Sequence, residues 1–170
     1  MEGVLGATWF EERRICIDQS LEDKHGRFAF TVAHETAHWQ LHRPLYEMGK
    51  LTLSLFPSSV GASPAPAVVC RAKDGKVPAE WQADQFAARL LMPAATVRSA
   101  TRSICGARKP AWEGLDARRK AGILDPQLRS FADDVIAEGG FLNVSNEAMC
   151  YRLLDLDLVE DAATTLARLL

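Results

Sequence analysis

His34, Glu35 and His38 stand in the run His34-Glu35-Thr36-Ala37-His38, two imidazoles four residues apart with a carboxylate beside the first. On a helix, positions four apart lie on one face with Cβ atoms about 5–6 Å apart, close enough for both rings to converge on one small cation. Glu35 projects roughly 100° away from His34, beside a bound metal and not onto it. From there it can take a proton from a water whose pKa the ion lowers to about 7. This is the H-E-x-x-H metalloprotease arrangement. The plainer alternative is a chance pattern on a solvated helix. The surroundings, Phe28, Phe30, Val32, Ala33 and Trp39, argue against it. Burying such polar groups without partners costs about 1–3 kcal/mol each, and a metal supplies the partner.

A catalytic zinc site of this type needs a third protein ligand and a position left open. His42 follows His38 by four residues, but on an unbroken helix it lies about 12 Å along the axis from His34, too far to share one ion. The extended pattern with a glycine turn and a third histidine would need Gly and His where the chain has Leu41 and Pro44. His42 is therefore read as a surface residue or one standing behind a ligand. Glu80 is the better candidate. It opens a stretch whose apolar stripe runs through Ala83, Phe86, Ala87 and Leu90, with Asp84 one turn on. One carboxylate could bind the metal while the other accepts the second ring N–H of a ligand histidine. An ordinary acidic first turn stabilised by the helix dipole fits the same spacing, and both readings stay open.

The elements that must position these residues follow from periodicity and punctuation. Val4 to Ile17 reads as a β-hairpin. Arg27 to His42 is apolar on several faces, as in a buried helix, and Pro44 should end it. His25, next to Gly26, reads as a turn residue. Leu51 to Phe56 alternates like a strand, 57–66 is a loop rich in Ser, Pro, Gly and Ala, and Val68 to Ala72 is a further strand, giving a sheet of three or four strands. Helices are expected over Ala79 to Met92, Ala94 to Cys105 and Pro126 to Glu138, with a polar loop between the last two and Gly139 and Gly140 as the stop. Ser145 is an expected N-cap, with Val144 and Met149 placed to staple the first turn. The stretch from Val159 to Leu170 is weakly amphipathic, and there is no internal repeat.

The composition bounds the classes. With 170 residues, 48% hydrophobic and 25% charged, the chain fits one soluble domain over residues 1–170. A chain of this length buries roughly 70% of its unfolded surface, so a metal is not needed to create a core. The net charge of −2 disfavours nucleic acid as the main ligand. No run reaches the roughly 18 apolar residues of a membrane span, and the charged start lacks a signal-peptide pattern, so the expected location is the cytoplasm. Cys16, Cys70, Cys105 and Cys150 are scattered singly and read as reduced thiols.

Three ordered blocks carry a resemblance. Arg27 to His38 (RFAFTVAHETAH), Glu80 to Pro93 (EWQADQFAARLLMP), and Val144 to Met149 with Arg152 and Leu153 resemble the motifs of the ImmA/IrrE metallopeptidases, over most of the chain. The resemblance implies a gluzincin-like, zinc-dependent endopeptidase of bacteria, phages and mobile elements. It makes His34, His38 and Glu80 the ligands of one Zn2+ per chain, with Mn2+ or Fe2+ as alternatives. Glu35 becomes the general base, and Asp84 a group supporting a ligand. It implies cleavage of a helix-turn-helix transcriptional repressor at one or a few sites, switching on stress-response, DNA-damage or element-transfer genes. Ala37 stands where the family more often has Gly, which should only tighten the helix. Asp157 stands where it often has Gly, so the last helix is expected to end differently. The chain also begins almost at the hairpin and carries no recognisable DNA-binding domain.

The fold class expected is α+β: a small, mostly antiparallel sheet plus the His34 helix over residues 1–78, and a helical, zincin-like part over 79–170. Tyr46, Tyr151, Arg71 and Arg152 are candidates to stabilise the oxyanion formed when water attacks a peptide carbonyl, and sequence does not choose among them. The helices around Ser145 could be taken for a DNA reader. Likewise the basic loop containing Arg108, Lys109, Arg118, Arg119 and Lys120, with Trp112, could be taken for a nucleic-acid patch. The negative net charge favours a solvated surface. Two further functional readings use the same residues: a zinc-stabilised module that sequesters a repressor without cutting it, and a toxin-like or phage-borne peptidase with another target.

Overall fold

The computed structural model describes residues 4–53, 68–71 and 78–163. The chain is mixed, mostly helical with a small antiparallel sheet near its start, which is compatible with an α+β class. Its internal contacts group it into two compact units, Met1–Leu90 and Leu91–Leu170. The helix that carries Glu80, counted by sequence with the later helical part, falls within the first unit apart from its last residue.

In the first unit β1 (Val4–Trp9) and β2 (Arg14–Ile17) form the expected hairpin, pairing antiparallel from Gly6 with Ile17 to Trp9 with Arg14. β3 (Val68–Arg71) adds to the other edge of β1, also antiparallel, so the order is β2-β1-β3. α1 (His25–Ala37) packs on β1 and β2. It begins two residues before the expected start, so His25 is its first residue and not a turn. Ala7 and Thr8 on β1 and Ala33 and Ala37 on α1 are buried. Phe10, just past β1, packs edge-on with Trp39 and tilted against Tyr46, at ring-centroid distances of 5.9 and 5.3 Å.

Pro44 does not end the helix. His38–His42 is a π-type turn, and α2 (Arg43–Leu53) continues directly from it, with Pro44 second in α2. The Arg43 N–H reaches the carbonyl of His38, five residues back. A proline is costly inside an α-helix because it removes an N–H and crowds the carbonyl four residues back. Here the wider turn has already displaced that ladder, so the ring is accommodated. The strand expected from Leu51 is also corrected, since Leu51 to Leu53 are the end of α2; the remaining Ser54 to Phe56 and the 57–66 loop lie outside the described residues. α3 (Pro78–Leu91) opens on its proline, as expected of a first helical position, and Ala83 and Ala87 are fully buried.

The second unit is helical. α4 (Ala94–Cys105) and α6 (Pro126–Glu138) pack together, and α6 packs on α7 (Asn146–Asp155). Val97, Leu128, Ala132, Val135, Met149, Cys150 and Leu153 are fully buried among them. Asp125 caps α6 by accepting the N–H groups of Gln127 (2.7 Å) and Leu128 (3.3 Å). Ser145 caps α7 through the Ala148 N–H at 3.2 Å. Gly140 takes φ +62° past the end of α6, and the Phe141 N–H closes the helix onto the Ile136 carbonyl at 3.0 Å.

The loop read as merely polar holds a short strand, β4 (Ala111–Trp112), and a helix, α5 (Leu115–Lys120). β4 pairs in parallel with β5 (Glu160–Asp161). Two-residue strands have no periodicity to read, which is why the sequence misses them. Among the described residues no helix is long and apolar enough to cross a membrane.

Candidate metal centre

His34 occupies the last turn of α1 and His38 opens the π-type turn after it, so the two rings share a face and stand edge to face with centroids 4.8 Å apart. Glu80, in the first turn of α3, meets both. Its Oε2 is 3.1 Å from His34 Nε2 and its Oε1 3.4 Å from His38 Nε2, while the two Nε2 atoms are 3.0 Å apart. One ligand atom from each of the three residues falls within 4.8 Å of the others, so the group could hold a metal ion. Glu80 is an acidic residue of the first turn of α3, as one open reading had it, and its carboxylate is also directed at the two histidines, as the other requires. Asp84, one turn along α3, accepts a hydrogen bond from His34 Nδ1 at 3.0 Å.

The chemistry of this donor set supports a cation. An ionised Asp84 can only accept, so Nδ1 of His34 carries the ring proton, and Nε2 of the neutral ring presents a lone pair. That lone pair points at a second imidazole nitrogen and a carboxylate oxygen. Electron-rich atoms this close repel one another unless a positive charge stands among them. Two imidazoles and a carboxylate are a suitable set for zinc, with a fourth position left for another ligand. Burial strengthens the case: His34 is 3% exposed and His38 0%. Burial pushes the His38 pKa down to about 4, so its ring is neutral, as a metal ligand must be.

Glu35 is turned toward β1. Its Oε2 accepts the Thr8 hydroxyl at 2.7 Å, and its Oε1 is buried with no hydrogen-bond partner. Burial raises the Glu35 pKa, and the Thr8 hydrogen bond works against that rise by favouring the carboxylate. A nearby dication would act in the same direction as Thr8. Gly6 on β1 is what lets the carboxylate come so close: a Cβ there would stand 2.6 Å from Glu35 Oε1 and 2.8 Å from Thr31 Cγ2. Sequence reasoning passed over both Gly6 and Thr8. An isolated glycine in a strand does signal a close approach, so Gly6 was readable in principle, whereas Thr8 left no such mark.

The candidates for oxyanion stabilisation separate. The Tyr46 hydroxyl donates to Glu11 Oε1 at 2.9 Å. Tyr151 and Arg152 belong to α7 in the second unit, where Tyr151 is exposed and the buried Arg152 donates from Nε to the Met92 carbonyl at 3.0 Å. Arg71 is in β3, and its side chain lies outside the described residues. His42 is not a surface residue; it is 8% exposed, with Nδ1 2.8 Å from His38 Nδ1 and Nε2 3.0 Å from Gln82 Oε1. Comparison with protein-family models, curated proteins and solved structures finds no match to this chain.

Proposed function

We propose that this chain is a zinc-dependent endopeptidase of the zincin type, as its resemblance to the ImmA/IrrE metallopeptidases implies. The observation that carries the reading is the convergence of His34, His38 and Glu80 immediately beside a buried Glu35 with one oxygen left without a partner. Bound by these three residues, zinc, or manganese or iron in its place, supplies Lewis-acid polarisation of the scissile carbonyl and makes a neighbouring water acidic. Asp84 holds His34 in the tautomer that offers Nε2. Thr8 restrains the Glu35 carboxylate through one oxygen, leaving the other to accept a proton. Glu35 takes a proton from water as its oxygen attacks the carbonyl carbon. It then delivers that proton to the amide nitrogen as the C–N bond breaks, leaving a carboxylic acid and an amine. The raised basicity that burial confers on Glu35 suits this double role.

The substrate class is a cytoplasmic regulatory protein, a helix-turn-helix repressor whose cleavage derepresses stress-response or mobile-element genes. The direct test incubates the zinc-loaded chain with the helix-turn-helix regulator encoded nearest to it and follows fragments by mass spectrometry. Wild type should cut, and Glu35→Gln should keep its zinc while losing about 10²–10⁴-fold in rate. Fragments formed equally by Glu35→Gln would refute the mechanism. Intact regulator released from DNA by the wild type would point instead to sequestration without proteolysis.

A further inference from the structure

His38 and His34 are supported in different ways. His34 Nδ1 meets a carboxylate, whereas His38 Nδ1 meets a second imidazole, which in turn meets a side-chain amide. The chain His38, His42, Gln82 has one direction consistent with metal binding through His38 Nε2. That ligation requires the ring proton on His38 Nδ1, which donates to His42 Nδ1 over 2.8 Å. With its Nδ1 accepting, neutral His42 carries its proton on Nε2 and donates over 3.0 Å to Gln82 Oε1. The placement of the Gln82 oxygen toward His42 matches this direction. The opposite direction would need the Gln82 amide nitrogen there, and it would put a proton on the very nitrogen of His38 that faces His34 and Glu80.

The backbone is adapted to the same contact. On a regular α-helix, residues four apart are offset by about 40° around the axis. In the π-type turn His38–His42 the backbone is wider, and the two rings stand with centroids 4.9 Å apart and their Nδ1 atoms in hydrogen-bond contact. Such turns are uncommon within helices and collect at functional sites.

We propose that His42 and Gln82 are positioning residues for the metal ligand His38, forming a neutral relay that fixes its tautomer and ring orientation. The proposal rests on the metal-centre reading, and its test separates the two. In the metal-free full-length protein at neutral pH, long-range 1H–15N NMR should find the proton of His38 on Nδ1 and that of His42 on Nε2. The free imidazole preference for Nε2–H at His38 would overturn the relay. In His42→Ala, His38 should shift toward Nε2–H, and zinc affinity, measured by competition with a chromophoric chelator, should fall about 10–100-fold. His42→Gln, which can still accept the His38 proton, should recover part of that loss. Gln82→Leu, at an exposed position, should weaken zinc several-fold. Unchanged zinc affinity in both His42→Ala and Gln82→Leu would sink the proposal. A wild type that binds no zinc would instead sink the metal centre, while the tautomer measurement still decides on the relay.

Discussion

The two compact units spend their interiors differently. In the first, the buried set includes Thr8, Thr31, His34, Glu35, His38 and His42, a polar group enclosed by one sheet and two helices. In the second, the buried positions are mainly apolar, Val97, Leu128, Phe131, Ala132, Val135, Met149 and Leu153 among them, and the buried polar residues are Thr101, Asp125, Arg152 and Asp161, of which Asp125 caps α6. An apolar interior gains stability from every methylene removed from water. A polar interior gains it only when each donor meets an acceptor and each lone pair meets a proton or a cation. Stability in the first unit should therefore depend on metal and pH, and in the second on side-chain volume.

The sharpest test of that contrast is Leu128→Ala, which empties a fully buried position in α6. It should cost about 2–5 kcal/mol in urea unfolding, with the loss unchanged by chelator. Zinc removal should be felt on the other side. Free zinc at a hundredfold excess over Kd stabilises the native state by about 2.7 kcal/mol, and a chelator should abolish that increment. Hydrogen exchange should locate it in α1 and α3. Equal gains in α6 and α7 would break the contrast.

The pH dependence of the metal-free protein has two opposed parts. His38, held neutral with a pKa of about 4, binds its proton more weakly folded than unfolded. Its contribution is present above the ordinary histidine range and is lost as pH falls through about 6.5 toward 4. Glu35 has the opposite sign: its raised pKa makes the folded state hold the proton more tightly, so stability declines as pH rises through that pKa. Urea midpoints between pH 4 and 7 should accordingly fall less steeply toward acid in His38→Gln than in wild type. An identical acid limb in the two proteins would contradict this. The smallest effect belongs to the second unit. Asp157 sits at φ +54° in the closing turn of α7, with the Leu158 N–H on the Leu153 carbonyl, and its carboxylate meets Lys109 at 2.7 Å. Asp157→Gly relieves the backbone and gives up the surface ion pair with Lys109, so thermal unfolding should show a gain of up to about 1 kcal/mol.

The difference between the units also explains what could be read in advance. The hairpin, α3, α4, α6 and the Ser145 cap were legible because local rules write them: alternation, a stripe at helical spacing, a proline that opens and a glycine that closes. Pro44 misled because its effect depends on the turn before it, and a π-type turn has no sequence period of its own. β4 and β5 were invisible because each pairs with a strand some fifty positions away.

By itself the sequence determined that two imidazoles share a helix face with a carboxylate turned aside, since a helix repeat places residues four apart together whatever surrounds them. It left Glu80 undecided between ligand and ordinary first-turn acid, and His42 between solvent and a place behind His38. Tertiary structure brought Glu80 onto the two histidines and His42 between His38 and Gln82, and it set Gly6 and Thr8 against Glu35. Each of these is a contact between elements, and distances across a fold are set by how helices and strands pack, which no spacing along the chain encodes.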